Sequence, residues 1–294
     1  MDELKIGIIG GTGLAQLLGG QEQGKLHEID TPFGWPSEAI VQTEWAGVPV
    51  YLLSRHGPGH TLNPSAVPYR ANIFALKQLG CTHLIASGAV GSLREEMKPG
   101  DLVVPDQIID KTARPASFFE KSAVHVEFAE PFCPLLRRIL IEAAPPSADP
   151  PATVHDRGCY VAMEGPAFST RAESLMHRIW GGDLVGMTGM PEAKLAREAE
   201  MSYAMVALVT DYDCWKSKAG EPAMLLEEIR GNLATASGRA MELIRRAIGR
   251  MAEQREALLA APARSALKLA IWSDKSRIAA EEIERLRPLW GRYF

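Results

Sequence analysis

Residues 5–13 read KIGIIGGTG, a short aliphatic run that ends in a cluster of glycines. Such a run, bounded by glycine, is typical of a buried β-strand followed by a tight turn. Similar runs predict four more strands, at residues 48–53, 83–86, 102–104 and 203–210. Helical patterns are found at residues 65–79, 191–199 and 241–251. This alternation predicts an α/β fold with a central, largely parallel or mixed β-sheet flanked by helices.

The length of 294 residues is normal for one large α/β domain. We expect residues 1–258 to form this domain. Residues 259–294 are expected to form a C-terminal helical tail that packs on the domain or on a neighbouring subunit. Residues 144–152 read APPSADPPA, and this proline-rich stretch predicts an exposed connection.

The composition predicts neither nucleic acid nor a membrane as a partner. The formal net charge of -4 gives no dominant basic character, and no run of about 18 apolar residues is present. The four cysteines form no CxxC pair, which argues against a zinc or redox motif. Reduced thiols and the absence of a signal-peptide pattern favour a cytoplasmic location. We therefore expect small-molecule ligands.

Polar residues follow the predicted strands, where open α/β sheets bind their ligands. Gly11 and Thr12 follow the first strand, and they offer backbone N–H groups and a hydroxyl to an anion. Arg55 and His56 follow the second strand. Arginine provides a planar fork for a tetrahedral oxyanion, and we expect the histidine to be a second donor. Asp211 and Asp213 follow the last strand, with a spacing that places both carboxylates on one side of an extended segment.

Taken singly, these features leave other interpretations open. The glycine cluster could be a plain turn, although its order is not the G-x-G-x-x-G of a dinucleotide-binding dehydrogenase. Residues 87–91, SGAVG, could close on a ligand or form only a strand-to-helix turn. Arg55 and His56 could be a surface pair, and Asp211 could cap a helix. A non-enzymatic binding module is the weakest alternative, because several strand ends carry reactive or anion-binding groups.

In their order along the chain, several longer motifs resemble the trimeric purine nucleoside phosphorylase family, and in particular its methylthioadenosine branch. The matching stretches are GIIGGTGL at 7–14, DTPFG at 30–34, LSRHG at 53–57, GSLREE at 91–96, PGDLV at 99–103, AEPFCP at 129–134, EGPAFSTRAES at 164–174, GMTGMPEAKLARE at 186–198 and TDYDCWK at 210–216. The resemblance implies the nucleoside phosphorylase fold and a pentosyltransferase that splits a purine nucleoside with inorganic phosphate. It implies neither a metal nor an organic cofactor. A homotrimer is expected, with a hexamer as the alternative.

The resemblance also implies roles for particular residues. The phosphate-binding set would be Thr12, Arg55, His56, Ser87, Gly88, Ala89 and Thr188. Met187 would contact the ribose, and Phe168 would pack against the base or the sugar. Asp211 and Asp213 would recognise adenine. The reaction itself requires an acid near N7 of the purine, and Asp211 is our candidate, with a pKa raised by burial and by the neighbouring carboxylate, while Asp213 reads the 6-amino group. His125 would be lent to the site of a neighbouring subunit.

Two departures bear on the substrate. Gly88 stands where the methylthioadenosine branch usually has a hydroxyl residue, so this phosphate contact must be lost, kept by the backbone or taken over by Ser87. Residues 188–193, TGMPEA, are closer to relatives that take methylthioinosine. We expect S-methyl-5′-thioadenosine as the substrate, with 5′-deoxyadenosine, methylthioinosine or another purine nucleoside as alternatives.

Overall fold

A mixed β-sheet lies at the centre of the computed structural model, which describes residues 3–11, 24–145, 153–216 and 222–294. Its strands are β1 Ile6–Gly10, β2 Lys25–His27, β3 Ile40–Trp45, β4 Val48–Ser54, β5 His83–Ser92, β6 Leu102–Val103, β7 Gln107–Lys111, β8 Val154–His155, β9 Cys159–Met163, β10 Leu184–Gly186 and β11 Ser202–Tyr212. The α-helices are α1 Tyr69–Gln78, α2 Pro134–Glu142, α3 Arg171–Ile179, α4 Gly189–Glu198, α5 Pro222–Glu253, α6 Arg255–Leu259, α7 Ala280–Arg285 and α8 Arg287–Trp290. The predicted α/β class and mixed sheet are confirmed.

Strand β5 is the centre of the sheet. It pairs in parallel with β1 along its first residues, with β10 in antiparallel fashion at its end, and with β11 along its whole length. Strand β4 lies on the other side of β1, also in parallel. The carboxyl ends of β1, β4, β5 and β11 therefore meet at one edge, as the positions of the polar residues predicted. Buried apolar side chains form a core on both faces of these strands.

The third predicted strand, residues 83–86, is shorter than the strand that the structure shows there. The sequence suggested an end at Ala86, whereas β5 continues through Ser87 and Gly88 to Ser92. Residues 87–91 are held extended because their backbone pairs with residues 206–211 of β11. The small side chains in this stretch, which suggested a turn, instead allow a close approach by neighbouring elements.

A β-bulge interrupts the pairing of β11. Val209 lies opposite Val90 and Asp211 lies opposite Gly91, so Thr210 is an extra residue. A bulge of this kind re-aims the side chains that follow it and is common beside active sites. The direction of Asp211 is therefore not given by simple alternation along the strand.

The helices agree broadly with the sequence patterns. Helix α1 lies inside the predicted segment 65–79, α4 begins two residues before the predicted start at Pro191, and α5 contains residues 241–251. Of the predicted loop 144–152, residues 146–152 lie outside the described residues. In the described part of the chain, no helix has the length and apolar character needed to cross a membrane.

The C-terminal residues contribute to the main core. The side chain of Trp290 is fully buried, with its ring centroid 4.8 Å from that of Phe119 and 5.2 Å from that of Phe294. Its indole N–H donates to the Ile283 carbonyl at 3.2 Å. Because the ring has apolar contacts and its N–H group has a hydrogen-bond partner, Trp290 anchors the tail.

We predict that Trp290→Ala lowers the free energy of unfolding by about 3–5 kcal/mol, because it leaves a large cavity in the core. Urea denaturation at a fixed protein concentration measures this loss. Trp35→Ala is the matched control, since Trp35 is 61% exposed. The control is expected to change stability by no more than about 0.5 kcal/mol. Equal effects of the two substitutions would contradict an anchoring role for Trp290.

Candidate active site

Arg55 lies directly after β4 and is fully buried. Its Nε and Nη2 atoms donate to the two carboxylate oxygens of Glu192 at 2.8 and 2.9 Å, and Nη1 donates to the Ser87 carbonyl at 2.7 Å. The hydroxyl of Tyr203 donates to the same carboxylate at 2.8 Å. Burial by itself lowers the pKa of Arg55, but the charge of Glu192 outweighs burial and raises it. The guanidinium is therefore charged at any working pH.

The guanidinium retains donors for a ligand. The hydrogen bonds within the described part of the chain use three of its five N–H groups, leaving one on each terminal nitrogen. The Gly11 backbone lies directly against it, since a Cβ atom on Gly11 would be 2.6 Å from Nη1 and 2.5 Å from the Ser87 carbonyl oxygen. The Gly11 N–H donates to Ser87 Oγ at 3.3 Å. The ends of β1 and β4 thus meet β5 around one cation, while Thr12 lies outside the described residues.

His56 follows Arg55, and its chemistry differs from the sequence expectation. Its Nδ1 atom is 2.8 Å from the Leu62 carbonyl oxygen, which can only accept, so Nδ1 carries the proton. Burial and the charge of Arg55 lower the pKa of His56 to about 4. The ring is therefore neutral at pH 7, and Nε2 is an acceptor instead of the expected second donor. An acceptor at this position suits a protonated phosphate oxygen.

Gly88 and Thr188 face each other at the same site. A Cβ atom on Gly88 would lie 3.1 Å from Thr188 Oγ1 and 2.9 Å from the Cε atom of Met205. A threonine at position 88 would therefore require Met205 to move and would also crowd the Thr188 hydroxyl. Thr188 is buried, and its N–H donates to the Tyr160 hydroxyl at 3.2 Å. Ala89, the next residue of β5, is half-buried.

Arg114 was missed by the sequence analysis. Its side chain is 4% exposed and joins several segments of the site. Its Nη1 atom donates to the carbonyls of Met187 at 2.7 Å and Met190 at 3.1 Å, and to the Tyr69 hydroxyl at 2.9 Å. Its Nε atom donates to Glu164 at 3.1 Å. Arg114 therefore fixes the backbone of Met187. None of the motifs quoted from the sequence contains Arg114, so no sequence signal pointed to it.

Met187 and Phe168, the residues expected to contact the sugar and the base, lie in different environments. The Met187 side chain lies against the segment before Phe168, since a Cβ atom on Gly165 would be 2.5 Å from Met187 Sδ. Phe168 is 86% exposed. An aromatic ring this exposed is available to a ligand or to another subunit, and its contact with base or sugar stays a prediction.

The two carboxylates lie at the carboxyl end of β5, four to five residues beyond the Ser87 carbonyl that Arg55 contacts. Thr210 Oγ1 donates to the Asp211 carboxylate at 2.6 Å. Asp213 is 8% exposed, and its N–H donates to the Ser92 carbonyl at 3.0 Å. A Cβ atom on Gly91 would be 3.2 Å from the Cβ atom of Asp213, so a glycine makes room for this carboxylate. Strand β11 ends at Tyr212, so Asp213 lies just outside it.

His125 is not brought to these residues within one chain. Its N–H donates to the Ala270 carbonyl at 2.9 Å, and its ring packs edge-on against Trp272 with centroids 4.8 Å apart. The imidazole is exposed. Its expected role in the site of a neighbouring subunit stays a prediction. Among the described residues, no group of three or more His, Cys, Asp or Glu side chains could hold a metal ion.

The geometry can be compared with known proteins. The model of the phosphorylase superfamily matches residues 5–249. The chain is 46% identical to an S-methyl-5′-thioadenosine phosphorylase of Synechocystis over 98% of its own length and 87% of that protein. It is 45% identical to the one from Geobacter sulfurreducens over 99% of both.

Solved structures agree with these relatives. A methylthioadenosine phosphorylase from an Antarctic soil metagenomic library superposes with a TM-score of 0.87 at 43% identity, covering 98% of this chain and 99% of that one. The Schistosoma mansoni methylthioadenosine phosphorylase in complex with adenine gives a TM-score of 0.80 at 38% identity, covering 92% and 100%. The chain therefore belongs to the phosphorylase superfamily, and within it to the S-methyl-5′-thioadenosine phosphorylases.

Proposed function

We propose that the protein catalyses the phosphorolysis of S-methyl-5′-thioadenosine to adenine and 5-methylthioribose 1-phosphate. The observation that carries this proposal is the arrangement along β5, with the buried Arg55 cation at Ser87 and the Asp211 carboxylate opposite Gly91. Ser87 and Gly91 are four residues apart, so their Cα atoms are separated by roughly 13 Å along the strand. An anion site and a base site are therefore held a nucleoside-sized distance apart. The names of the similar proteins support the same reaction.

Phosphate would be bound by the free N–H groups of Arg55, by backbone N–H groups near Gly11 and by Thr188. Its attack on C1′ places negative charge beside the positive charge that develops on the sugar, so positioning and electrostatics supply most of the catalysis. His56 Nε2 accepts a hydrogen bond from a phosphate hydroxyl and so orients the nucleophile. No metal or organic cofactor is needed in this scheme, and inorganic phosphate is the co-substrate.

The purine would be bound by the two carboxylates. Asp211, as the protonated acid, donates to N7 and neutralises the leaving base. Asp213 accepts a hydrogen bond from the 6-amino group. A carboxylate can accept from an amino group, but it has no hydrogen to donate to a 6-oxo group. Phe168 and Met187 would contact the base and the ribose. We also propose a cytoplasmic location, because Cys81, Cys133, Cys159 and Cys214 are all free thiols.

We predict that cleavage of S-methyl-5′-thioadenosine requires phosphate, since the buried Arg55 and Thr188 serve an anionic nucleophile and not water. The measurement is release of adenine with and without phosphate. Adenine release at an undiminished rate in phosphate-free buffer would identify a nucleosidase and refute the phosphorylase.

We predict that Asp211→Asn lowers kcat/KM for S-methyl-5′-thioadenosine by about 10²–10⁴-fold, because the general acid is lost. Asp213→Asn should reduce the preference for this substrate over methylthioinosine by about tenfold, with a smaller loss of rate, because an amide can donate to a 6-oxo group. Steady-state kinetics with both substrates measure these changes. Asp156→Asn is the control, since the side chain of Asp156 is 61% exposed. Wild-type preference for methylthioinosine would overturn the assignment.

We propose that the protein forms a homotrimer, and two exposed apolar patches support this. The first lies on and after α3, where Ile179 is 85% and Trp180 is 47% exposed. The second lies beside His125 in the tail, where Leu269 is 85% and Trp272 is 72% exposed. Large exposed apolar side chains mark interaction surfaces. Because the two patches lie on different segments, a contact between them is head-to-tail, and it forms a closed ring when three copies complete a full rotation.

Light scattering should give three times the 32.1 kDa mass of one chain. We expect Trp272→Glu to dissociate the assembly and lower activity, because a buried charge is costly and His125 would no longer reach its neighbour. Leu26→Glu is the control, since Leu26 is 65% exposed on β2, away from both patches. A fully active monomer would rule out the trimer and the shared His125.

A further inference from the structure

Helix α3 packs along the segment that carries Asp213. The Arg178 guanidinium lies 3.6 Å from the centroid of the Trp215 ring, and the Ser174 hydroxyl lies beside the Cys214 thiol. Between them, His177 interacts electrostatically with Asp213. Residues three apart on a helix lie on one face, so Ser174 and His177 both point to this segment.

Lys111 fixes the tautomer of His177. The Lys111 Nζ atom is 3.0 Å from His177 Nε2, and an ammonium group can only donate. Burial and the charge of Lys111 lower the pKa of His177, against the opposing charges of Asp213 and Glu173. The ring is therefore neutral near pH 7, with Nε2 as acceptor and Nδ1 as donor.

Three complementary polar atoms remain at this contact. Within the described ranges, His177 Nδ1 and Asp213 Oδ2 are buried without a hydrogen-bond partner, and Ser174 Oγ has only the Cys214 thiol, a weak partner, beside it. The side chains of Ser174 and His177 are 0% and 1% exposed. One of the three atoms is a donor, one an acceptor, and the hydroxyl can be either. A buried water molecule typically makes about three hydrogen bonds, which is what this set offers.

We propose that His177 is a positioning residue for Asp213. A shared water molecule accepts from the His177 Nδ1–H, donates to the buried Oδ2 atom and hydrogen-bonds to the Ser174 hydroxyl. The network from Lys111 through His177 and this water molecule holds the carboxylate in one rotamer. The other oxygen, Oδ1, is then directed at the 6-amino group of the base. This inference rests on the proposed function, because it assigns the base-reading role to Asp213.

The kinetic test compares S-methyl-5′-thioadenosine with methylthioinosine. His177→Phe keeps the ring volume but removes the donor, and should lower kcat/KM for the 6-amino substrate on the order of 10- to 100-fold relative to the 6-oxo substrate. His83→Phe is the matched control, since His83 is also fully buried but lies at the opposite end of β5. The control should keep the wild-type ratio. An equal loss on both substrates in His177→Phe would overturn the proposal.

A double-mutant cycle separates positioning from general damage. If His177 acts through Asp213, His177→Phe should have no further effect on substrate choice in the Asp213→Asn background. The same fold-change in both backgrounds would refute the coupling. Wild-type protein that cleaves neither nucleoside with phosphate would refute the proposed function separately.

The wild-type protein offers a test that does not depend on a variant folding. Histidine ring ¹⁵N spectra should show His177 protonated at Nδ1 and unprotonated at Nε2. In Asp213→Asn the Nδ1 signal should move, while the His83 signals stay in place. A ring protonated at Nε2, or an Nδ1 signal indifferent to Asp213→Asn, would overturn the proposal.

Discussion

The ion pair between Arg55 and Glu192 is the interaction on which the site depends. Both side chains are buried, at 0% and 2% exposure, and the pair joins the end of β4 to helix α4. Tyr203 of β11 and the Ser87 carbonyl of β5 complete its hydrogen bonds. A buried pair of this kind often contributes less to stability than well-packed apolar residues would. Its presence is better explained by the fixed positive charge that the proposed phosphate site requires.

The sheet sets the distance between this ion pair and the carboxylates of Asp211 and Asp213. Strand β5 carries Ser87 at the cation and Gly91 beside the carboxylates, so the spacing between the two ends is set by strand geometry and not by loops. The bulge at Thr210 then changes the direction of Asp211 without moving β11 away from β5. Glycines at positions 88 and 91 leave room for Thr188 and Asp213, which a side chain on β5 would displace.

Much of this could be predicted from the sequence, because strand ends are marked by local composition. The apolar run before Gly10 indicated the first strand, and the motifs indicated the family. The polar residues after β4 and β11 led us to expect ligand binding there, which stays a prediction. The continuation of β5 could not be predicted, since Ser87 to Gly91 are held extended by pairing with a strand more than a hundred residues later.

The hydrogen-bond partners of the predicted residues also could not be predicted from local sequence. Glu192 lies 137 residues from Arg55, and Arg114 lies 73 residues from the Met187 carbonyl that it holds. The role of His56 depends on where the Leu62 carbonyl points, which is a property of the intervening turn. Sequence patterns identified the groups that could do chemistry, whereas their charge states and donor or acceptor roles required three-dimensional contacts.

In the phosphate site that we propose, these charge states together restrict the form of the nucleophile. Arg55 cannot lose its proton, and it offers only donors to a bound oxyanion. His56 is neutral and offers only an acceptor at Nε2. A fully deprotonated anion would leave Nε2 facing a second acceptor, which is unfavourable in a buried site. A hydrogen phosphate satisfies both residues, with unprotonated oxygens on Arg55 and its single hydroxyl on His56. The two adjacent residues therefore select the orientation of the phosphate as well as its charge, and they leave an unprotonated oxygen free to attack the sugar.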